Sequence, residues 1–198
     1  MYATRSEDDP ARRVKNLILK VKRDQFDPGS GLPFVQVIVS RVRERLGAEF
    51  SSGFEDEPVL VPVPSSALTK PQTVWPALRL CEELLRAGLA TDVLPLVRRT
   101  TAIHKSAGST SRPSFTAHLD SFSVQARLRP PGRVIVVDDV VTSGTTMLAC
   151  ASKLAAAYPG VPVRGFALAR VLSAGDPTTV FQPLVETILL DGARCKRG

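Results

Sequence analysis

The sequence predicts an α/β protein, a parallel sheet flanked by helices. Three observations carry that expectation. Short runs of β-branched and aliphatic residues alternate with stretches whose apolar residues recur at helical spacing. The run from Val134 to Val137 is unbroken in apolar character, as a strand covered on both faces requires. It then meets two adjacent acids, Asp138 and Asp139, and a hydroxyl-rich turn around Gly144, which is how a strand ends at a ligand site in an open parallel sheet.

The elements follow in order. In DDPARRVKNLILKVKR, Asp9 is a capping residue and Pro10 suits the first helical position. Val14, Leu17, Ile18 and Val21 form one stripe. Six of the twelve residues from Arg12 to Arg23 are basic and none is acidic, so the rest of this helix faces either solvent or an anion. DPGSG is a turn. Pro33 opens a second helix with Val35, Ile38, Val42 and Leu46 on one face and Gly47 as its stop. SSGFEDEP reads as a loop. Val59 to Val63 is a short buried strand whose prolines end it in a sharp turn. VWPALRLCEELLRAG is a helix with Leu78, Cys81 and Leu85 inward, and DVLPLV is a second strand. RVIVVDD is the third strand, Thr145 to Ala157 a helix closed by YPG, and VPVRGFALARV the fourth strand. The tail from Asp176 reads equally as an edge strand or a short helix.

One long connection stands out. From Val93 to Leu119 there is no acidic residue, while Arg98, Arg99, Lys105 and Arg112 and both histidines, His104 and His118, fall within it. A structureless loop of this length is uncommon unless it has a function. Its charge suits a cover for something anionic. The histidines read as plain loop residues.

Composition bounds the partners. The chain has 198 residues with 43% apolar content, which suits one folded domain over 1–198: a helical part over 1–57, a core over 58–175 and a tail over 176–198. The polar opening MYATRSEDDP is unlike a signal peptide and no apolar run reaches membrane-spanning length, so the cytoplasm is the expected location. Three cysteines, none at a metal-type spacing from another, argue against a zinc site or a disulfide framework. A net charge of +7 attracts nucleic acid, an anionic membrane or a phosphorylated small molecule.

The strand-end acids narrow that choice. A loop at a helix N-terminus directs backbone N–H groups at an anion, Gly144 lets the ligand approach, and Thr142, Ser143, Thr145 and Thr146 add hydroxyl donors. This is a cradle for a monophosphate. Asp138 and Asp139 repel phosphate and instead suit neutral hydroxyls or a divalent cation. A ribose 5-phosphate satisfies both halves. The competing reading, the acidic strand of a nucleoside triphosphatase, requires an upstream G-x-x-x-x-G-K-[ST], which the chain lacks.

VIVVDDVVTSGTT resembles the phosphoribosyl-pyrophosphate (PRPP) signature of type I phosphoribosyltransferases. Over most of residues 12 to 171 the chain is similar to the ComF-like (competence protein F) branch. The shared features are a basic helix with LILKVK, then VLVPVP, VRRTT, an arginine in the later loop (Arg112), and SFSV before the signature. It departs from that branch in having no cysteine zinc module at the start. It also carries SSALTKPQTVW, with Lys70 as its one charge, where an RGFNQ-type stretch usually stands. The resemblance implies a type I phosphoribosyltransferase-like parallel sheet with a small hood, formed by the N-terminal helices and the tail.

It further implies transfer of ribose 5-phosphate from PRPP to a nitrogenous acceptor, with release of pyrophosphate and with Mg2+ as cofactor. Asp138 and Asp139 would be catalytic and would hold Mg2+, directly or through water. Thr142, Ser143, Gly144, Thr145 and Thr146 would hold the 5′-phosphate. Arg98, Arg99, Lys105 and Lys70 would complete PRPP binding, although Arg98 and Arg99 read equally well as a surface pair at a strand end. The partners are PRPP, an unidentified acceptor and, for a homodimer, a second copy; no membrane is expected. Two alternatives stand beside this: a non-catalytic PRPP-binding regulator, and a nucleic-acid-associated protein of DNA uptake using the basic helix 12–23.

Overall fold

The computed structural model describes residues 10–68, 73–103, 113–171, 184–192 and 194–197. Three helices open the chain: α1 (Pro10–Lys22), α2 (Phe34–Leu46) and α3 (Ala48–Ser52). Strand β1 (Val59–Pro62), α4 (Pro76–Arg86) and β2 (Asp92–Val93) follow, then β3 (Val97–Arg99), α5 (Phe115–Asp120) and β4 (Phe122–Val124). The chain continues through β5 (Val134–Val141), α6 (Thr145–Ala157) and β6 (Val163–Arg170), and then β7 (Ile188–Asp191) and β8 (Arg194–Arg197).

The main sheet has four parallel strands in the order β2-β1-β5-β6, so the strand bearing the acids is central. The α/β class with a parallel sheet between helices is therefore as expected. Alternation along β5 divides the core in two. Ile135 and Val137 join Leu60 of β1 under α1, α2 and α4, while Val134 and Val136 join Val61 against α6 and the antiparallel β3–β4 pair. By the same alternation Asp139 continues the first face and Asp138 the second.

Most helix readings hold. In α1, which begins at Pro10, Val21 is buried and Val14, Leu17 and Ile18 are half-buried; Asp9 lies outside the described residues. In α2, Phe34, Val35, Ile38 and Val39 are buried, and Gly47 ends the helix at φ +52°. Helix α4 buries Ala77, Leu80, Cys81 and Leu84, so its inward face is rotated from the expected Leu78, Cys81 and Leu85. Part of the expected loop SSGFEDEP is helical in α3, because Phe50 drives into an aromatic cluster with Phe54 and Phe166 at centroid distances of 5.5 and 6.0 Å.

Two larger readings need correction. DVLPLV is not one strand. Proline cannot donate to a ladder, and at Pro95 the chain leaves β2's parallel pairing with β1 and turns into β3, which pairs antiparallel with β4. Nor is the span from Val93 to Leu119 structureless. It holds β3 and α5, whose first turn is capped where Ser114 Oγ accepts from the Ala117 N–H at 3.1 Å. His104, Lys105 and Arg112 lie outside the described residues, as does Lys70. In the described part of the tail, β7 and β8 pair antiparallel as a two-stranded sheet of their own, strand rather than helix but not an edge of the main sheet; residues 176–183 lie outside the described residues. At the end of β1 the Trp75 indole Nε1–H donates to the Val63 carbonyl at 2.8 Å, fastening the segment before α4 to the strand. Among the described residues no helix is long and apolar enough to cross a membrane.

Candidate active site at the end of the central strand

Strand β5 outlasts its neighbour. The β1 pairing stops at Pro62 opposite Val137, and the Val63 N–H closes the ladder on the Val137 carbonyl at 2.9 Å. Asp138 and Asp139 extend past that point while β6 still flanks them, with Ala167 opposite Asp138. The acids thus stand at the carboxyl edge of the sheet's centre, where open parallel sheets collect ligands.

The two carboxylates differ. Asp138 is half-buried, and its side-chain Oδ1 accepts from the Asp139 N–H at 2.9 Å. Burial holds its pKa well above the usual carboxylate range, and the charge of Asp139 adds to the effect. Asp139 is only 7% exposed. Its Oδ2 has no hydrogen bond of good geometry but lies 3.0 Å from Lys22 Nζ, an ion pair across to the last residue of α1. Sequence reading gave Lys22 only to the basic face of α1. Nothing in the sequence links it to an acid so distant along the chain.

The hydroxyl loop lies between β5 and α6. Gly144 sits at φ +83°, in the left-handed region that side chains disfavour, and is buried at the N-cap of α6. Helix α6 has no side-chain cap and no acid in its first turn. Its first N–H groups and the positive end of its dipole are therefore available to an anion. Ser143 and Thr145 share a hydroxyl hydrogen bond of 2.8 Å, and Thr142 and Thr146 are half-buried beside them. The structure thus brings Thr142, Ser143, Gly144, Thr145 and Thr146 together next to Asp138. The tail reaches this loop as well: a Cβ at Gly144 would stand 2.6 Å from Ile188 Cδ1 of β7.

The basic residues separate. Arg98 is exposed on β3. Arg99, its neighbour on the opposite face, is buried: Nε donates to the Ser65 carbonyl at 2.6 Å, Nη1 to Ser121 Oγ at 2.5 Å, and the guanidinium covers the Phe122 ring at 4.4 Å. Nη2 is buried without a hydrogen-bond partner. Arg99 therefore ties the loop after β1 to the β3–β4 strand pair, and Ile103 N–H reinforces that tie by donating to the Ser66 carbonyl at 3.1 Å.

His118 is no plain loop residue. It is buried on α5 with Nδ1 unpartnered, and Nε2 lies 3.5 Å from Thr146 Oγ1 of the hydroxyl loop. Burial, aided by the charge of Arg99, lowers its pKa to about 4, so the ring is neutral near pH 7. Cys150 on α6 is buried and its thiol pKa is pushed up by desolvation and by Asp138. Among the described residues no group of three or more His, Cys, Asp or Glu side chains could hold a metal ion.

No family model matches the chain, and neither does any curated protein. Among solved structures, a hypoxanthine phosphoribosyltransferase from Staphylococcus aureus is similar at a TM-score of 0.37 and 12% identity, over 68% of this chain. The matched region spans 64% of that protein's length.

Proposed function

We propose that the chain is a phosphoribosyltransferase that binds PRPP with Mg2+, transfers ribose 5-phosphate to a nitrogenous acceptor and releases pyrophosphate. One observation carries the reading: a central parallel strand ends in two acids and runs directly into an uncapped helix N-terminus through a left-handed glycine. A phosphate cradle and hydroxyl-seeking carboxylates thus lie on one continuous stretch. The resemblance of VIVVDDVVTSGTT to the PRPP signature of type I phosphoribosyltransferases, and of the wider chain to the ComF-like branch, supports the same reading.

The donor set fits magnesium. Carboxylate oxygens are the hard ligands it prefers, and Asp139 Oδ2 is buried with no hydrogen bond of good geometry, its charge met by Lys22 Nζ at 3.0 Å. Asp138 and Asp139 would hold the ion, which when bound neutralises charge on the pyrophosphate. The 5′-phosphate rests on the N–H groups of α6 and the hydroxyls of Thr142 to Thr146. Asp138 and Asp139 orient the ribose hydroxyls. The bond from C1 of the ribose to the pyrophosphate oxygen breaks, the electron pair leaves with pyrophosphate, and the acceptor nitrogen bonds to C1 while its N–H proton passes to the released pyrophosphate. Positive charge grows on the ribose ring in the transition state, and the carboxylates beside it are fixed before the reaction begins. Arg98, Lys70 and Lys105 would supply the positive charge that the leaving pyrophosphate needs, and Arg99 holds the loop after β1. The protein acts without spanning a membrane, in the cytoplasm.

A second reading keeps the binding and drops the transfer: a PRPP sensor, favoured by the single charge, Lys70, in the stretch after β1. One experiment separates the two. Calorimetric titration of PRPP with and without Mg2+ measures binding, and pyrophosphate release across a panel of purine and pyrimidine bases measures transfer. Mg2+-dependent binding with release is expected. Binding without release on any base leaves the sensor, and no binding removes both.

A further inference from the structure

Lys22 Nζ lies 3.0 Å from Asp139 Oδ2, a carboxylate whose side chain is 10% exposed, while the lysine side chain is 45% exposed. An ammonium on a flexible stem is a mobile cation that can leave without unfolding anything. Asp139 is on the α1 face of the sheet and carries a charge that burial makes costly to leave unpaired. Lys22 is the last residue of α1, so its stem can swing while the helix stays seated through Val21.

We propose that Lys22 is the resident cation of this site: it neutralises Asp139 in the free protein and competes with a divalent cation for that carboxylate. The lysine thereby sets how much metal the site requires. The neighbouring Lys20 is placed otherwise, with its Nζ 4.5 Å from the centre of the Phe34 ring, so the role belongs to one lysine of the helix and not to its overall charge. The metal arm of the test stands without the phosphoribosyl reading; only the PRPP arm rests on it.

In the metal arm, Mn2+ binding is measured by paramagnetic resonance with no PRPP present, in wild type, Lys22→Gln, Lys22→Arg, Arg23→Gln and the double variant Lys22→Gln with Asp139→Asn. Removing a unit charge a few ångströms from a metal site should tighten Mn2+ about tenfold in Lys22→Gln. Lys22→Arg and Arg23→Gln should match wild type, and Asp139→Asn should erase the gain. The assignment is overturned if Lys22→Gln matches wild type, if Arg23→Gln gives the same gain, or if the gain survives Asp139→Asn.

In the PRPP arm, the Mg2+ concentration at half-maximal PRPP binding should fall by a similar factor in Lys22→Gln; an unchanged midpoint overturns the competition. If no variant binds PRPP while Mn2+ behaves as expected, the phosphoribosyl reading falls and the resident cation stands. If PRPP binds and both arms ignore Lys22, the resident cation falls alone.

Discussion

Asp138 carries a conflict between stability and binding. Its folded pKa is raised, so between the ordinary carboxylate value and that raised value the native state holds more protons than the unfolded chain. Its contribution to stability therefore declines as pH rises through that window, and the full penalty applies above it. Asp138→Asn should raise the melting temperature at pH 7, and a lower one would contradict the burial argument. The same change should weaken PRPP. Loss of a charge-assisted hydrogen bond costs ~1.5–3 kcal/mol, or roughly ten- to a hundredfold in affinity, at Asp138 and at Asp139 alike. Inorganic phosphate, with no ribose to grip, should bind both Asn variants as well as wild type or better; equal weakening of both ligands would sink the division of labour between acids and loop. His118 has the opposite sign. Its folded pKa of about 4 lies below the ordinary histidine value, so its stabilising contribution is complete above about pH 6.5 and is lost as pH falls toward 4. The drop in urea midpoint between pH 7 and pH 4.5 should be smaller in His118→Gln than in wild type. No sequence feature announced this histidine, because its burial is decided by α5 packing on α6 and not by its neighbours in the chain.

At the scale of elements, the β5 to α6 unit was legible nearly to the residue. An apolar run long enough to cross the sheet, then a glycine loop, then an alanine-rich helix leaves little freedom. Where a proline falls in a run of similar residues, as in DVLPLV, composition cannot say whether the strand bends or changes partners; the antiparallel pull of β4 decides it. The inward face of α4 slipped for a related reason, since its leucines recur at several helical offsets and the surrounding core selects among them. The meeting of β7 with the hydroxyl loop yields a prediction with two separable parts. Gly144→Ala should cost about 1–2 kcal/mol from the left-handed backbone alone, and further stability from the collision with Ile188. Adding Ile188→Ala should restore the steric part and leave the backbone part, as read by denaturant midpoints in a double-mutant cycle. Full recovery in the double variant would mean that backbone conformation contributes nothing.

Across the whole molecule, the basic helix illustrates what sequence alone could not resolve. Its apolar stripe placed it on the core, but its cations looked alike. Packing against β5 and α2 distinguishes them, sending Lys22 to Asp139 of β5 and Lys20 to Phe34 of α2. The sequence left Arg99 open between a cation for pyrophosphate and one of a surface pair, and the fold buries it with donors turned to Ser65 and Ser121. Long-range contacts of this kind carry no periodic signal. The loop after β1 is held from two sides, by Arg99 and by the indole of Trp75 on Val63. Trp75 is the chain's one tryptophan. Light absorbed at the red edge of the aromatic band therefore reports on a single place, the junction where Trp75 meets Val63, whose N–H pairs with Val137 just before the two acids. Saturating PRPP with Mg2+ should shift or quench that emission with the midpoint found by calorimetry, and Trp75→Phe should silence it. An emission indifferent to ligand would mean that the junction stays rigid when the site fills.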